Sequence, residues 1–252
     1  MNEAEQEKRR ASIKKAFTEL AKKRQNWPNK YNINLQISKM LCDYALLNKI
    51  PLLDKIVLNV GCSEPVDEVF WVNLVKEWHA LDINEMAIIV AKRLAAEALP
   101  PKLFTKLKFI IGDVTKLGLD DKSYDVVTSF STIDHIPDKG DRAKAISEMC
   151  RVLKPEGYLV LTVPNKWDIY YSYRSNKLQR EGKAIFGYEY QFSPFELKRL
   201  FKMNGLKILD CASTSFNPYS YFDRLLRKFR LAKLKIYFGT RFGFLAQKPE
   251  VS

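Results

Sequence analysis

Four short stretches carry residue types able to hold a nucleoside. In "KIVLNVGCSEP" (55–65) an apolar run closes on Asn59, Val60, Gly61, Cys62 and Ser63. A glycine there lets a ligand lie against bare backbone, and the helix that follows offers unpaired N–H groups. "HALDI" closes on Asp82 and Ile83, about twenty residues after the glycine, the separation at which nucleoside-binding α/β folds set an acid against ribose hydroxyls. "LKFIIGDV" closes on Gly112, Asp113 and Val114, where a carboxylate can take the exocyclic amine of adenine; "YDVVTSFS" closes on Ser129, Phe130 and Ser131. Each acid alone is an ordinary turn or cap residue. In this order and spacing they describe one binding edge.

His135, in "STIDHIPD" just past the fourth run, is the candidate general base, since an imidazole accepts a proton near neutral pH. The plainer reading is a loop histidine that packs on the ligand or caps a turn. His79 sits at the other end of its run and reads as structural. Cys42, Cys62, Cys150 and Cys211 lack the paired spacing of a zinc site, so no metal is expected and the four read as free thiols of a reducing compartment.

The elements that must position these residues alternate along the chain. Strands are expected at "KIVLNV", "HALDI", "LKFIIGDV", "YDVVTSF", "GYLVLTV", "LKILDCAS" and "RFGFLAQK". Helices are expected at "VDEVFWVNLVKEW", "NEMAIIVAKRLAAEAL" and "RAKAISEMCRVL", and at "PFELKRLFKMNG", which Ser193 and Glu196 open as a capping box and Gly205 closes. Continuous apolar strands alternating with amphipathic helices mean a mostly parallel, doubly wound, Rossmann-like sheet covered on both faces, a three-layer αβα domain. A length of 252 residues with 46% hydrophobic content suits one such core. Residues 1–50 read as an N-terminal helical appendage and 51–252 as the domain.

The net charge is +13 and the pI about 9.5, which favours an anionic partner. The charged start and the lack of any long apolar run argue against a signal peptide or a membrane span, so a cytoplasmic protein is expected. Within a basic insertion at about 216–238, "SYFDRLLRKFRLAK" (220–233) patterns as a basic amphipathic helix. It is a candidate for peripheral contact with an anionic membrane, although a helix packed on the core with a solvated basic face gives the same pattern.

"VLNVGCSEP", "HALDINEMAIIVAKR", "LKFIIGDVTKLGLDDKSYDVVTSFSTIDHIPD" and "EMCRVLKPEGYLVLTVPN" together resemble the successive motifs of class I S-adenosylmethionine-dependent methyltransferases, over about 55–165. The resemblance implies a seven-stranded sheet with an antiparallel last strand, and S-adenosylmethionine as cofactor with S-adenosylhomocysteine as product. It assigns Gly61, with Asn59, Cys62 and Ser63 on the same loop, to the methionine end of the cofactor. Asp82 with Ile83 goes to the ribose, Asp113 and Val114 to the adenine, and Ser129 and Phe130 to the sulfonium side. The family usually carries an acid at the position of Asn59 and glycines at those of Ser63 and Pro65. Asn59 keeps a hydrogen bond but not the charge, unless Glu64 supplies it.

The segment "KWDIYYSYRSNKLQREGKAIFGYEYQF" (166–192) lies where this family builds its acceptor pocket or lid. Aromatic walls with basic residues suit a small-molecule or lipid-linked acceptor carrying an acid or phosphate. An RNA acceptor is the second reading and a non-catalytic binding module the third. A nucleic acid base is disfavoured by Ser129-Phe130-Ser131-Thr132, which replaces the Asp/Asn-Pro-Pro-Tyr/Phe turn of the base-amine enzymes.

Overall fold

The computed structural model describes residues 11, 13, 15–19, 41–63, 66–214 and 236–250. Seven strands form one sheet in the order β3-β2-β1-β4-β5-β7-β6. They are β1 (Ile56–Val60), β2 (Glu77–Asp82), β3 (Leu107–Ile111), β4 (Tyr124–Phe130), β5 (Leu153–Pro164), β6 (Lys207–Thr214) and β7 (Arg241–Gln247). Only β7 runs antiparallel, inserted between β5 and β6.

Both faces of the sheet are buried, which is why the strands are continuously apolar. Successive residues face opposite sides of a strand. Thus Val57 and Val126 enter a cluster with Trp71, Trp78 and Ala95, whereas their neighbours Leu58 and Val127 enter another with Ile146, Met149 and Phe201. The first cluster is covered by α1 (Asp43–Leu47), α2 (Val66–Trp71) and α3 (Glu85–Ala98), the second by α5 (Lys139–Val152) and α7 (Pro194–Met203). Cys42, Tyr44, Leu46 and Leu47 are buried, so residues ahead of 51 contribute to the core. The four cysteines are free thiols. No helix among the described residues is long and apolar enough to cross a membrane.

Two further helices are short or exposed: α4 (Pro101–Phe104) and α6 (Ile169–Arg180). Helix caps follow the local sequence. Asn84, Asp138, Asp168 and Ser193 each accept backbone N–H groups at the starts of α3, α5, α6 and α7. Only half of the expected capping box forms, because the Glu196 carboxylate accepts the Tyr190 hydroxyl at 3.0 Å instead of reaching back to the cap. Gly205 closes α7 in the left-handed region, φ 71°.

One boundary corrects the sequence reading. The helical spacing of 66–78 predicts one helix, but α2 ends at Trp71, a 3-10 turn spans Val72–Leu74, and Glu77 and Trp78 open β2. Trp78 pairs with both Val57 and Leu107 and is wholly buried, so sheet packing overrides the helical periodicity there.

Candidate functional site

The chain builds outward from β1 to β3 and then returns to lay β4 on the other side of β1. Ligands of open α/β sheets bind at that switch point, beyond the carboxyl ends of the strands. Gly61, Asp82, Asp113 and Ser131 all emerge on this edge, since β1, β2, β3 and β4 are mutually parallel.

The loop after β1 is held down by backbone bonds, from Gly61 N and Cys62 N to the Leu81 carbonyl at 2.7 and 3.0 Å. Gly61 has φ 76°, and a Cβ on it would lie 2.2 Å from Thr132 Oγ1. The glycine is therefore required for Thr132 to pack against it, with the Thr132 hydroxyl donating to Val60 O at 3.0 Å. The expected bare backbone is covered on that side. Ser63 takes the left-handed conformation, φ 45°, that favours glycine, and Ser131 does the same at φ 51°. Such strain costs on the order of 1–2 kcal/mol per residue and concentrates at binding sites.

Asp82 organises this loop. Its Oδ2 accepts Ser63 N at 3.0 Å and its Oδ1 accepts Asn84 N at 2.9 Å. Burial raises its pKa, while those N–H groups act in the opposite direction by stabilising the anion. Ile83 beside it is 54% exposed, an aliphatic surface left open where the nucleoside is expected. At β3, Asp113 Oδ1 accepts Thr115 N and Thr115 Oγ1, both at 2.8 Å, and Val114 is buried behind it.

Other candidates turn away from the edge. Asn59 is buried, its Nδ2 donating to Glu68 Oε1 at 2.8 Å and its Oδ1 accepting from Thr128 Oγ1 at 2.9 Å. Trp78 Nε1 donates to the same Glu68 oxygen at 3.2 Å. A carboxylate is thus present near the position where the family has its acid, but it comes from α2. Cys62 packs with Ala80 and Ile88, and burial with Glu68 and Asp82 nearby pushes its thiol pKa well up, so its backbone and not its sulfur faces the site. Ser129 and Phe130 are buried at the end of β4. Glu64, Pro65 and the basic segment 220–233 lie outside the described residues.

His135 lies in a 3-10 turn, Ile133–His135, beyond β4. Its Nδ1 is 2.8 Å from Tyr188 O, a contact that requires Nδ1 to carry the proton. Its Nε2 is 3.4 Å from Asp134 Oδ2. Asp134 is wholly buried, and among the described residues neither carboxylate oxygen has a hydrogen-bond partner. Burial raises its pKa to about 6; Glu189 adds repulsion, and His135 and Arg241 pull it down. Tyr190 N donates to Asp134 O at 2.7 Å, so the turn after β4 grips residues 188–190 at two points.

Sequence reasoning missed the covering of this edge. The described residues between 11 and 19 are helical. Thr18 Oγ1 accepts Asn84 Nδ2 at 3.0 Å, and Phe17 packs edge-on against His135 at 5.0 Å and stacks on Phe186 at 5.7 Å. This segment bridges the turn after β2 and the turn after β4. No local signal marks contacts so distant in sequence.

Beyond the end of β5 lies a cavity of about 460 Å³, bounded by Lys166 and by Ile169, Tyr173 and Gln179 of α6 on one side and by Tyr188–Gln191 on the other. Glu189 in its wall accepts the Tyr171 hydroxyl at 2.9 Å and Ser175 Oγ at 3.0 Å. A volume of this size admits one small molecule.

The residues fit the nucleoside that the edge implies. A carboxylate offers about four lone-pair sites, so Asp82, although both oxygens already accept backbone N–H groups, keeps capacity toward a ribose hydroxyl. Asp113 keeps an oxygen for an amine, and Ile83 offers an apolar face.

Residues 58–161 match the family model described as a methyltransferase domain. With the sheet topology and the strand-end acids, this makes residues 58–161 a methyltransferase domain of the class I S-adenosylmethionine-dependent type. Among its relatives is the ubiquinone/menaquinone biosynthesis C-methyltransferase UbiE of Rickettsia massiliae, 34% identical over 126 residues, or 46% of this chain and 48% of that protein. The chain thus matches about half the length of this relative. The magnesium protoporphyrin IX methyltransferase of Synechocystis PCC 6803, solved with bound S-adenosylhomocysteine, shares the fold at 17% identity and a TM-score of 0.64, covering 90% of this chain and 92% of that one. The [4+2]-cyclase SpnF shares it at 16% identity and a TM-score of 0.56, covering 86% and 80%. One fold therefore serves more than one chemistry, and the reaction has to be argued from the site.

Proposed function

We propose that the protein transfers a methyl group from S-adenosylmethionine to a small-molecule or lipid-linked acceptor held in the cavity between α6 and residues 188–191. The cofactor, when bound, supplies a methyl group already activated on a sulfonium sulfur. Asp82 accepts a ribose hydroxyl, Asp113 the adenine amine, and Ile83 covers the base; Gly61, Cys62 and Ser63 contribute backbone to the methionine end. The remaining work is positioning the acceptor atom and excluding water.

The observation that carries this reading is the cavity itself, about 460 Å³, which starts at Lys166 just past β5 and is walled by residues 188–191, themselves bonded to the turn after β4. His135 acts here by position. Its Nδ1 proton is directed at the Tyr188 carbonyl and its Nε2 faces Asp134, so it holds the cavity wall in place. A role as general base requires the ring to turn Nε2 away from Asp134 toward the acceptor.

The test is label transfer from methyl-tritiated S-adenosylmethionine into an organic-soluble small-molecule extract, run beside total RNA and bulk protein. Label in the extract supports the reading. Label confined to RNA would overturn the acceptor class and leave the methyltransferase assignment standing.

A further inference from the structure

We infer that the outer face of α6 docks on an anionic phospholipid surface and delivers the mouth of the cavity to the bilayer. The inner face of this helix is committed. Tyr171 and Ser175 bond Glu189, and Gln179 Nε2 donates to the Glu189 carbonyl at 3.0 Å. The outer face is the most apolar exposed helix surface described. Ile169, Tyr170 and Tyr173 are 82%, 67% and 64% exposed. Positions i, i+1 and i+4 lie on one side of a helix, so these three form one patch. Trp167, also exposed, extends it by an edge-on contact at 5.3 Å with exposed Phe195.

Charge follows along the same helix. The last two turns present exposed Arg174, Lys177 and Arg180, and Lys166 and Lys183 flank the helix. Between 166 and 183 there are five cations against two acids, Asp168 and Glu181, a local net of +3. Asp168 is occupied as the cap of α6, and Glu181 pairs with Lys183 at 2.9 Å in a solvent-exposed bridge of little strength. An apolar and aromatic end beside a basic end is the composition of a surface that inserts shallowly among lipid headgroups while its cations meet anionic phosphates. Ile169, Tyr173 and Lys166 also line the cavity, so docking this face opens the cavity toward the bilayer. The entry route rests on the acceptor reading above; the docking does not.

Vesicle flotation tests it, with phosphatidylcholine alone and with phosphatidylcholine containing one-third phosphatidylglycerol, at low and high salt. The protein should float with the anionic vesicles at low salt and lose most of that binding at high salt. The Ile169→Ser/Tyr170→Ser pair should bind at least tenfold more weakly, and so should Arg174→Gln/Lys177→Gln/Arg180→Gln, with melting temperature and cofactor affinity by calorimetry close to the parent. Absence of flotation in the parent protein would overturn the inference. So would binding that survives both α6 variants and is lost in Arg224→Gln/Arg227→Gln/Lys228→Gln/Arg230→Gln. Cofactor calorimetry on the same samples separates failure of docking from failure of the methyltransferase reading.

Discussion

Ser63 occupies a position where glycine is the natural choice, and its φ of 45° shows why. Ser63→Gly should raise stability by about 1 kcal/mol through relief of left-handed strain, partly offset by the greater freedom of glycine in the unfolded chain. Thermal melting checks this, and a lower Tm would show that the hydroxyl makes a compensating bond. Asp134 gives a signed pH effect. Its unfolded pKa is near 3.9 and burial lifts the folded value to about 6. The fold then binds this proton more tightly than the unfolded chain does, so the associated stability is complete below about pH 4 and is lost as pH rises through 6. Asp134→Asn cannot ionise. Relative to its own offset at pH 4, it should gain on the order of 2 kcal/mol over the parent by pH 8. A constant difference across that range would contradict the burial argument. At this scale the sequence revealed residue types better than contacts. Asp82 and Gly61 were legible from spacing, but the Thr132 side chain that fills the space beside Gly61 was not, nor was the Glu68 bond that draws Asn59 into the core.

At the scale of elements, the turn after β4 and residues 186–191 work as one clasp. His135 contacts Tyr188 O, Phe17 and Phe186, and Asp134 O receives Tyr190 N. His135→Ala should loosen the cavity wall, raising KM for the acceptor several-fold with a smaller change in kcat. A fall in kcat at unchanged KM, with a matching loss of the acidic limb of the pH profile, would instead make His135 the base. Strands were legible because burial on both faces leaves them uniformly apolar, and β4 falls where the sequence places it. The start of β2 was hidden because Glu77 and Trp78 continue the helical spacing of the preceding segment. The covering of the edge by the described residues between 11 and 19 depends on pairings such as Phe17 with His135, which no window of local sequence contains.

For the whole molecule, the doubly wound sheet gathers the strand-end acids on one edge. The positive net charge of +13 includes the local excess around α6, beside the cavity mouth. The alternation of elements announces this architecture, and the acceptor remains a matter of cavity chemistry. The central claim is that the edge built by Gly61, Ser63, Asp82 and Asp113 holds S-adenosylmethionine. Calorimetric titration of the parent protein and of Asp82→Ala with S-adenosylmethionine and S-adenosylhomocysteine tests it most directly. The account predicts one site per chain for both ligands in the parent, and in the variant a loss of about 1.5–3 kcal/mol, or roughly 10- to 150-fold, that is equal for the two, because the carboxylate contacts the ribose they share. No saturable heat with either ligand in the parent, or an Asp82→Ala variant that binds as the parent does, would contradict it.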